Sequence, residues 1–275
     1  MKTDIRIVFH DIDGCLNPPS GESFVAGEVG HLSHEQEKTL ENFNSCIENS
    51  PIEHLVLNTG RNYFDTAFIS KKITTKKLKF LLLEHAAYAW DVQNQHEVDL
   101  ADIATKFKDN ILVKRYEELK SIQTLMAWFQ KTGKELFENK YNIDLTVLEK
   151  KANLSMEMPS GCHPEDILDQ LKELIQTEFP NEEFHYCYSH AFLDILGNIH
   201  KSDGAVLMCK LFNLNPIQSL VIGDGMNDLD IFEKFPNLLC PHNAHTKIIE
   251  HCNTKKGIVS EFKYAQASID YLNTL

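Results

Sequence analysis

The chain's 275 residues, 43% of them hydrophobic, are enough for one large apolar core or two smaller ones, and two is the expectation. A formal net charge of −13 opposes a polyanionic partner, since nucleic-acid binding needs a basic footprint to neutralise phosphates. No stretch reaches the length of a transmembrane helix, and Met1-Lys2-Thr3-Asp4 leads into a strand with no apolar signal core, so a cytoplasmic protein with no membrane partner is expected.

In chain order, Ile5-Arg6-Ile7-Val8-Phe9 is the first short β-branched run and reads as a buried parallel strand. Asp11-Ile12-Asp13-Gly14 follows directly. A turn-rich stretch from Asn17 to Gly30 ends at Ser33-His34-Glu35-Gln36, a capping box that opens a helix to about Asn49 with Leu40, Phe43 and Ile47 on one face. His54-Leu55-Val56-Leu57 reads as a second buried strand, ending in Asn58-Thr59-Gly60-Arg61. A helix over about Tyr63–Ile69 and a strand over Phe80–Leu83 complete a β-α-β-α-β pattern. From about Ala86 the pattern changes to an α+β segment. Strand pieces at Tyr88–Val92 and Leu154–Met158 flank a long amphipathic helix, about Ile111–Lys131, that Gly133 ends. A second helix from Glu165 to about Glu178 precedes strands at Tyr186–Tyr188 and Phe192–Leu196. The βα pattern resumes at Lys201 with a helix to about Asn213. Then come the strand Leu220-Val221-Ile222, the segment Gly223-Asp224-Gly225-Met226-Asn227-Asp228 and a further helix.

Both acid clusters thus fall at the carboxyl ends of buried strands, the edge of an open α/β sheet where ligands bind. Carboxylates converging there repel unless a cation intervenes, and Mg²⁺ takes oxygen ligands from one or two carboxylates plus substrate phosphate. Asp11 is placed to attack phosphorus as a nucleophile. Asp13, two residues on, is placed as general acid for the departing alkoxide and then general base for water. Asp224 completes a Mg²⁺ site with Asp11 and a backbone oxygen at Asp13, while Asn227 and Asp228 form the outer part of that site. Thr59 offers a hydroxyl and a backbone N–H to a phosphoryl oxygen, and Lys201 adds positive charge at a helix start.

These segments, Asp11-Ile12-Asp13-Gly14, Thr59-Gly60-Arg61, Lys201 and Gly223 to Asp228, resemble in order and placement the four motifs of the haloacid dehalogenase-like hydrolases. The insert lies between the second and third motifs, as in the C2-capped branch, subfamily IIB, of Cof-like and sugar-phosphatase type. Leu82-Leu83-Glu84-His85-Ala86-Ala87 stands where that cap usually begins, and Asn243-Ala244 and Gly257-Ile258-Val259 fit the closing segments. The resemblance covers about Ile5–Leu83 and Phe192–Val259. It implies a Rossmann-like three-layer α/β core with a parallel sheet, at 1–84 and 191–275, and an inserted α+β cap at 85–190. It also implies a Mg²⁺-dependent phosphatase acting through an aspartyl phosphate on a small phosphorylated metabolite such as a sugar phosphate. Catalysis falls to Asp11, Asp13, Thr59 and Lys201, substrate binding to Thr59, Gly60, Arg61, Lys201 and Asn227, and the metal to Asp11, Asp13, Asp224 and Asp228. Four positions depart from the pattern: Cys15 replaces Thr or Ser, Ser202 replaces Gly, and His85-Ala86 replaces Asn-Gly. The loop from Cys15 to Leu32 is long enough to help cover the site. Rival readings are a sugar phosphomutase and a non-catalytic phospholigand-binding protein. The sequence carries no signal for oligomeric state.

Other features have plainer readings. Seven cysteines with no C-x-x-C pair read as reduced thiols. Cys240, His242, His245, His251 and Cys252 fit no common zinc spacing. His163, His185 and His190 are read as locally satisfied, the stripe from Leu112 to Phe129 as packing, and the lysines from Lys71 to Lys77 as a solvated turn.

Overall fold

A strand as apolar as Ile7–His10 (β1), buried along its whole length, needs partners on both edges and cover on both faces. The computed structural model, which describes residues 4–16, 33–189 and 192–275, shows where they come from. After β1 come α1 (His34–Asn49), β2 (His54–Asn58), α2 (Tyr63–Lys72), β3 (Leu78–Leu83), β4 (Tyr88–Asp91), β5 (His96–Val98) and α3 (Leu100–Lys106). The next stretch holds α4 (Asn110–Glu117), α5 (Leu119–Trp128), α6 (Lys134–Tyr141), β6 (Thr146–Leu148), β7 (Asn153–Glu157), α7 (Pro164–Glu178), β8 (His185–Ser189) and β9 (Phe192–Leu196). The chain closes with α8 (Lys201–Leu211), β10 (Ser219–Ile222), α9 (Leu229–Lys234), β11 (Leu238–Cys240), α10 (Thr246–Thr254), β12 (Ile258–Val259) and α11 (Tyr264–Leu272). Two compact units result, one of Met1–Phe107 with His200–Leu275 and one of Lys108–Ile199.

The first unit is α/β, built on an eight-stranded sheet in the order β12-β11-β10-β1-β2-β3-β4-β5. The strands from β12 to β3 are parallel, and β1 pairs with β10 on one side and β2 on the other, His10 opposite both Ile222 and Leu57. Asp11, Asn58-Thr59 and Gly223-Asp224 therefore leave the sheet at one edge, where the strand order reverses direction. Helix α1 shows both halves of its capping box: Gln36 N–H donates to Ser33 Oγ at 3.2 Å, and Ser33 N–H to Gln36 Oε1 at 2.7 Å. Its face of Leu40, Phe43 and Ile47 is buried, each side chain contributing about 1.5–3 kcal/mol relative to exposure. The lysine run is more than a solvated turn. Lys77 Nζ donates to the carbonyls of Ile47, Glu48 and Ser50 at 2.8, 2.7 and 2.9 Å, satisfying the open end of α1.

Tyr88–Asp91, expected with the insert, instead runs back along β3 as an antiparallel strand, with Leu83 opposite Tyr88. The reversal is made by Glu84, His85 and Ala86, all left-handed at φ 49, 60 and 67°, where Asn-Gly would meet less strain. β5 pairs with β4 and ends the sheet. The β4–β5 turn carries Gln95, exposed, at φ 56°. Gln95→Gly is expected to stabilise the protein by about 1 kcal/mol by removing this strain. Chemical denaturation would measure the gain, and a loss of stability would contradict the turn.

The second unit has its own antiparallel sheet, β6-β7-β9-β8, so Phe192–Leu196, expected in the core, belongs here. Its core joins Ile122, Leu125, Phe129 and Phe137 to Leu154, Met156, Leu171 and Ile195. The expected single helix ending at Gly133 is a chain of segments from α4 to α6, with a π turn over Phe129–Gly133. Gly133 is a packing position there, not a stop: a Cβ on it would lie 2.6 Å from the Trp128 ring. The helix ends at Asn142, left-handed at φ 55°. Residues 17–32, the loop expected to help cover the site, and His190 lie outside the described residues. Among the described residues no helix is long and apolar enough to cross a membrane.

Candidate active site

Lys201 is the first residue of α8, and its ammonium is buried at the edge defined by β1 and β10. Nζ donates to Asp11 Oδ1 at 2.9 Å and to Asp228 Oδ1 at 2.7 Å, with all three side chains no more than 4% exposed. So dry a pair of acids persists only because the cation sits between them. Asp228 is committed through its other oxygen as well. Oδ2 accepts the backbone N–H groups of Asp224 and Gly225 at 3.0 and 3.1 Å, winding the Gly223–Asp228 loop around it and aligning Asp224. Asn58 Nδ2 donates to the Lys201 carbonyl at 3.0 Å and ties α8 to β2.

The loop after β1 is shaped from the other side. Gly14 has φ +73°, and a Cβ on it would fall 1.9 Å from Asp224 Oδ2, so both the backbone and the close approach require glycine. Asn243 Nδ2 donates to the Gly14 carbonyl at 2.8 Å, and Cys15 Sγ donates to Asp224 Oδ1 at 3.6 Å. Behind Asp11, the buried His10 ring bridges the Asp11 carbonyl, 2.5 Å from Nδ1, and Ser268 Oγ, 2.8 Å from Nε2. Burial, against the Asp11 carbonyl and the Asp228 charge, lowers the His10 pKa to about 4, which keeps the ring neutral.

Asp13 faces outward and meets Arg61 in a two-pronged pair, Nε to Oδ2 at 2.7 Å and Nη2 to Oδ1 at 2.5 Å. The guanidinium also donates to the Asp65 carbonyl at 3.2 Å. Arg61, expected to bind substrate, is therefore held first of all by the general acid candidate. Thr59 is buried at the end of β2, and one expectation about it fails. Its backbone N–H donates to the Leu82 carbonyl at 3.0 Å, because β3 continues alongside, so only the hydroxyl remains to meet a phosphoryl group. That hydroxyl accepts the Arg61 N–H at 3.2 Å. Gly60 lies between them, half-buried, and the Asn227 amide oxygen is turned over Gly225.

Burial raises the Asp11 carboxyl to about 7, the neighbouring Asp228 and Asp13 adding to the rise and Lys201 opposing it. Burial, then the charges of Asp11 and Asp228, hold Asp224 well above the ordinary carboxylate range. The Cys15 thiol is raised for the same reasons, burial first and Asp224 next. Burial would lower Lys201, but Asp11 and Asp228 outweigh it and the ammonium stays charged. With Asp11, Asp224 and Asp228 ionised, the single ammonium of Lys201 offsets one of their charges and two remain to be compensated. A divalent cation fits this: Asp11 and Asp224 supply hard, buried oxygen donors with ligating atoms within 4.8 Å of each other, the pattern Mg²⁺ takes.

The sequence marked Asp11, Asp13, Asp224, Asp228, Thr59 and Lys201 because each follows a strand or opens a helix. It left the parts played by His10, Asn58 and Asn243 unassigned, since nothing local reveals a partner as remote as Gly14 is from Asn243, 229 residues away. Among the described residues, Cys240, His242, His245, His251 and Cys252 do not converge as an ion-holding group. His245 instead caps α10. His163 occupies the cap position of α7, and His185 lies on β8.

A family model described as haloacid dehalogenase-like hydrolase matches residues 8–258. The comparison with curated protein sequences gives no match. Among solved structures, the sucrose-phosphatase of Synechocystis in complex with sucrose and phosphate aligns with 100% of this chain and 98% of its own, at TM-score 0.65 and 15% identity. A Thermoplasma acidophilum protein aligns over 98% and 99% at TM-score 0.65 and 14% identity. A Thermotoga maritima protein aligns over 98% and 97% at TM-score 0.55 and 17% identity. These likenesses show the shared fold, a mostly parallel core sheet with a separate four-stranded antiparallel sheet inserted. Because one family model runs through both halves of the split core and the insert between them, the chain belongs to the haloacid dehalogenase-like hydrolases.

Proposed function

We propose that the chain is a Mg²⁺-dependent phosphatase that hydrolyses a small phosphomonoester of the sugar-phosphate class through an aspartyl phosphate. The observation that carries this reading is the buried Lys201 ammonium, shared by Asp11 and Asp228 at the sheet edge where Asp224 also stands. Asp11 is the nucleophile. One carboxylate oxygen is oriented by Lys201, and a carboxylate oxygen of Asp11 forms the bond to phosphorus as the ester P–O bond breaks. Asp13 gives its proton to the departing alkoxide once Arg61 releases it, then takes a proton from the water that cleaves the acyl phosphate and restores Asp11. The Thr59 hydroxyl and Lys201 meet the phosphoryl oxygens, with Gly60, Arg61 and Asn227 lining the substrate side. Asp11, Asp224 and a backbone oxygen at Asp13 would hold Mg²⁺, with Asp228 fixing their loop, and the ion supplies the charge that offsets carboxylates and phosphate together. The inserted unit acts as the cap that admits substrate, excludes water and selects the leaving group.

The sucrose-phosphatase likeness supports sugar phosphates as the first class to try. The test is phosphate release over a panel of phosphorylated sugars and nucleotides with Mg²⁺, beside Asp11→Asn and Asp13→Asn. At least one sugar phosphate is expected to separate the wild type from both controls. Isomerised product with little free phosphate would instead establish a phosphomutase. Ligand-dependent stabilisation with turnover no better than Asp11→Asn would leave only a binding protein.

A further inference from the structure

Cys15 brings a sulfur to a site otherwise made of oxygens. Its Sγ is buried 3.6 Å from Asp224 Oδ1, and ligating atoms of Asp11, Cys15 and Asp224 all lie within 4.8 Å of one another. Ligands of one ion must have such separations. For Zn–S near 2.3 Å and Zn–O near 2.1 Å, a tetrahedral site has an S···O edge of about 3.6 Å, so Cys15 and Asp224 already stand as two ligands of one centre would. The local chain holds them there. The left-handed Gly14 turns Cys15 over Asp224, Asn243 grips the Gly14 carbonyl at 2.8 Å, and Cys15 N–H donates to the Ile12 carbonyl at 3.3 Å. A hydroxyl in this place would be a hard donor that discriminates little between cations. A thiolate is soft and favours Zn²⁺, Co²⁺ and Cd²⁺ over Mg²⁺.

We propose that the Asp11–Cys15–Asp224 cluster is a mixed oxygen–sulfur cation site in which Cys15 ligates borderline and soft divalent ions, so that Zn²⁺ competes with Mg²⁺ for one position. This rests on the reading of Asp11 and Asp224 as cation ligands. Ligation involves no redox change: the S–H proton passes to water as the sulfur–metal bond forms. The plainer reading makes Cys15 a packing thiol that only donates to Asp224.

Metal-free, full-length protein titrated with Co²⁺ separates the two. A thiolate-to-cobalt charge-transfer band is expected in the wild type, saturating at one equivalent, kept in Cys240→Ala/Cys252→Ala and lost in Cys15→Ser. Cys15→Ser is also expected to weaken Zn²⁺ binding by at least about 10-fold, with a smaller change for Mg²⁺. No band in the wild type, or a band that survives Cys15→Ser, would overturn the proposal. Should Cys15→Ser fail to fold, X-ray absorption of the wild type with one equivalent of Zn²⁺ decides: one sulfur near about 2.3 Å is expected, and an all-oxygen shell refutes it. Because neither readout needs turnover, loss of the phosphatase reading with the cobalt band intact is distinguishable from loss of the band with phosphate release intact.

Discussion

Asp11→Asn is expected to lower kcat by roughly 10³- to 10⁵-fold on whichever phosphoester the wild type hydrolyses, with KM changed little. The amide keeps the shape of the carboxylate and can still accept from Lys201 Nζ, at 2.9 Å in the wild type, but it cannot form the bond to phosphorus. The same substitution should flatten the pH dependence of stability in the metal-free protein. Asp11 holds its proton up to about 7 in the folded chain, against an ordinary 3.8, chiefly because it is buried. Over that window the unfolded chain is ionised while the folded one keeps the proton. Stability contributed by the neutral carboxyl is therefore full below about pH 4 and is lost as pH rises toward about 7, by up to about 1.4 kcal/mol per pH unit. Mg²⁺ favours the ionised carboxylate and opposes the loss. Denaturation in chelator across this range, with wild type beside Asp11→Asn, measures the effect. A pH profile equally steep in both proteins would show that Asp11 is not its source.

Lys201→Met is expected to destabilise the protein by about 3–5 kcal/mol in the absence of metal, and to abolish phosphate release. Above about pH 7, where Asp11 is ionised, the cost arises because Asp11 and Asp228, 4% and 2% exposed, would lose the ammonium that neutralises them and have no water to replace it. For a chain of this length the midpoint of thermal unfolding should fall by about 6–20 °C. Adding Asp11→Asn removes one of the stranded charges and should recover part of the loss, a coupling of about 0.5–3 kcal/mol. Lys201→Arg should not substitute, since a planar fork does not reproduce the compact ammonium between two carboxylates. An unfolding midpoint unchanged in Lys201→Met would mean that the acids are neutralised by some other route.

Residues that end a strand or open a helix are legible along the chain itself. Asp11, Thr59 and Asp224 each follow an apolar run, and Lys201 heads a helix, so their edge of the sheet can be read one element at a time. Pairings across the fold cannot. The Arg61 guanidinium is drawn to Asp13, 48 residues away, and this decides that the arginine first holds the carboxylate proposed as general acid. Thr59 loses its N–H to Leu82 only because β3 runs beside β2. Where elements fall in unexpected places, the causes are local ones that periodicity conceals. Three successive left-handed residues, Glu84 to Ala86, fold Tyr88–Asp91 back on β3. Gly133 looks like a helix stop, yet the helix passes through it because its missing side chain makes room for Trp128.

By itself the sequence determined the alternation of strands and helices, the split of the α/β core by an insert, and the order of acid, threonine, lysine and acid that marks the hydrolase family. These depend on local propensity, on strand and helix periods and on the types of residue at element ends, all written in neighbouring positions. Tertiary structure alone decided that β1 lies between β10 and β2, and this register brings Lys201 to Asp11 across 190 residues and Cys15 to Asp224 across 209. Separations of 2.9 and 3.6 Å follow from packed strands and turns, which no pattern along the chain encodes. The charge balance of the site, and the sulfur within it, exist only once those strands are side by side.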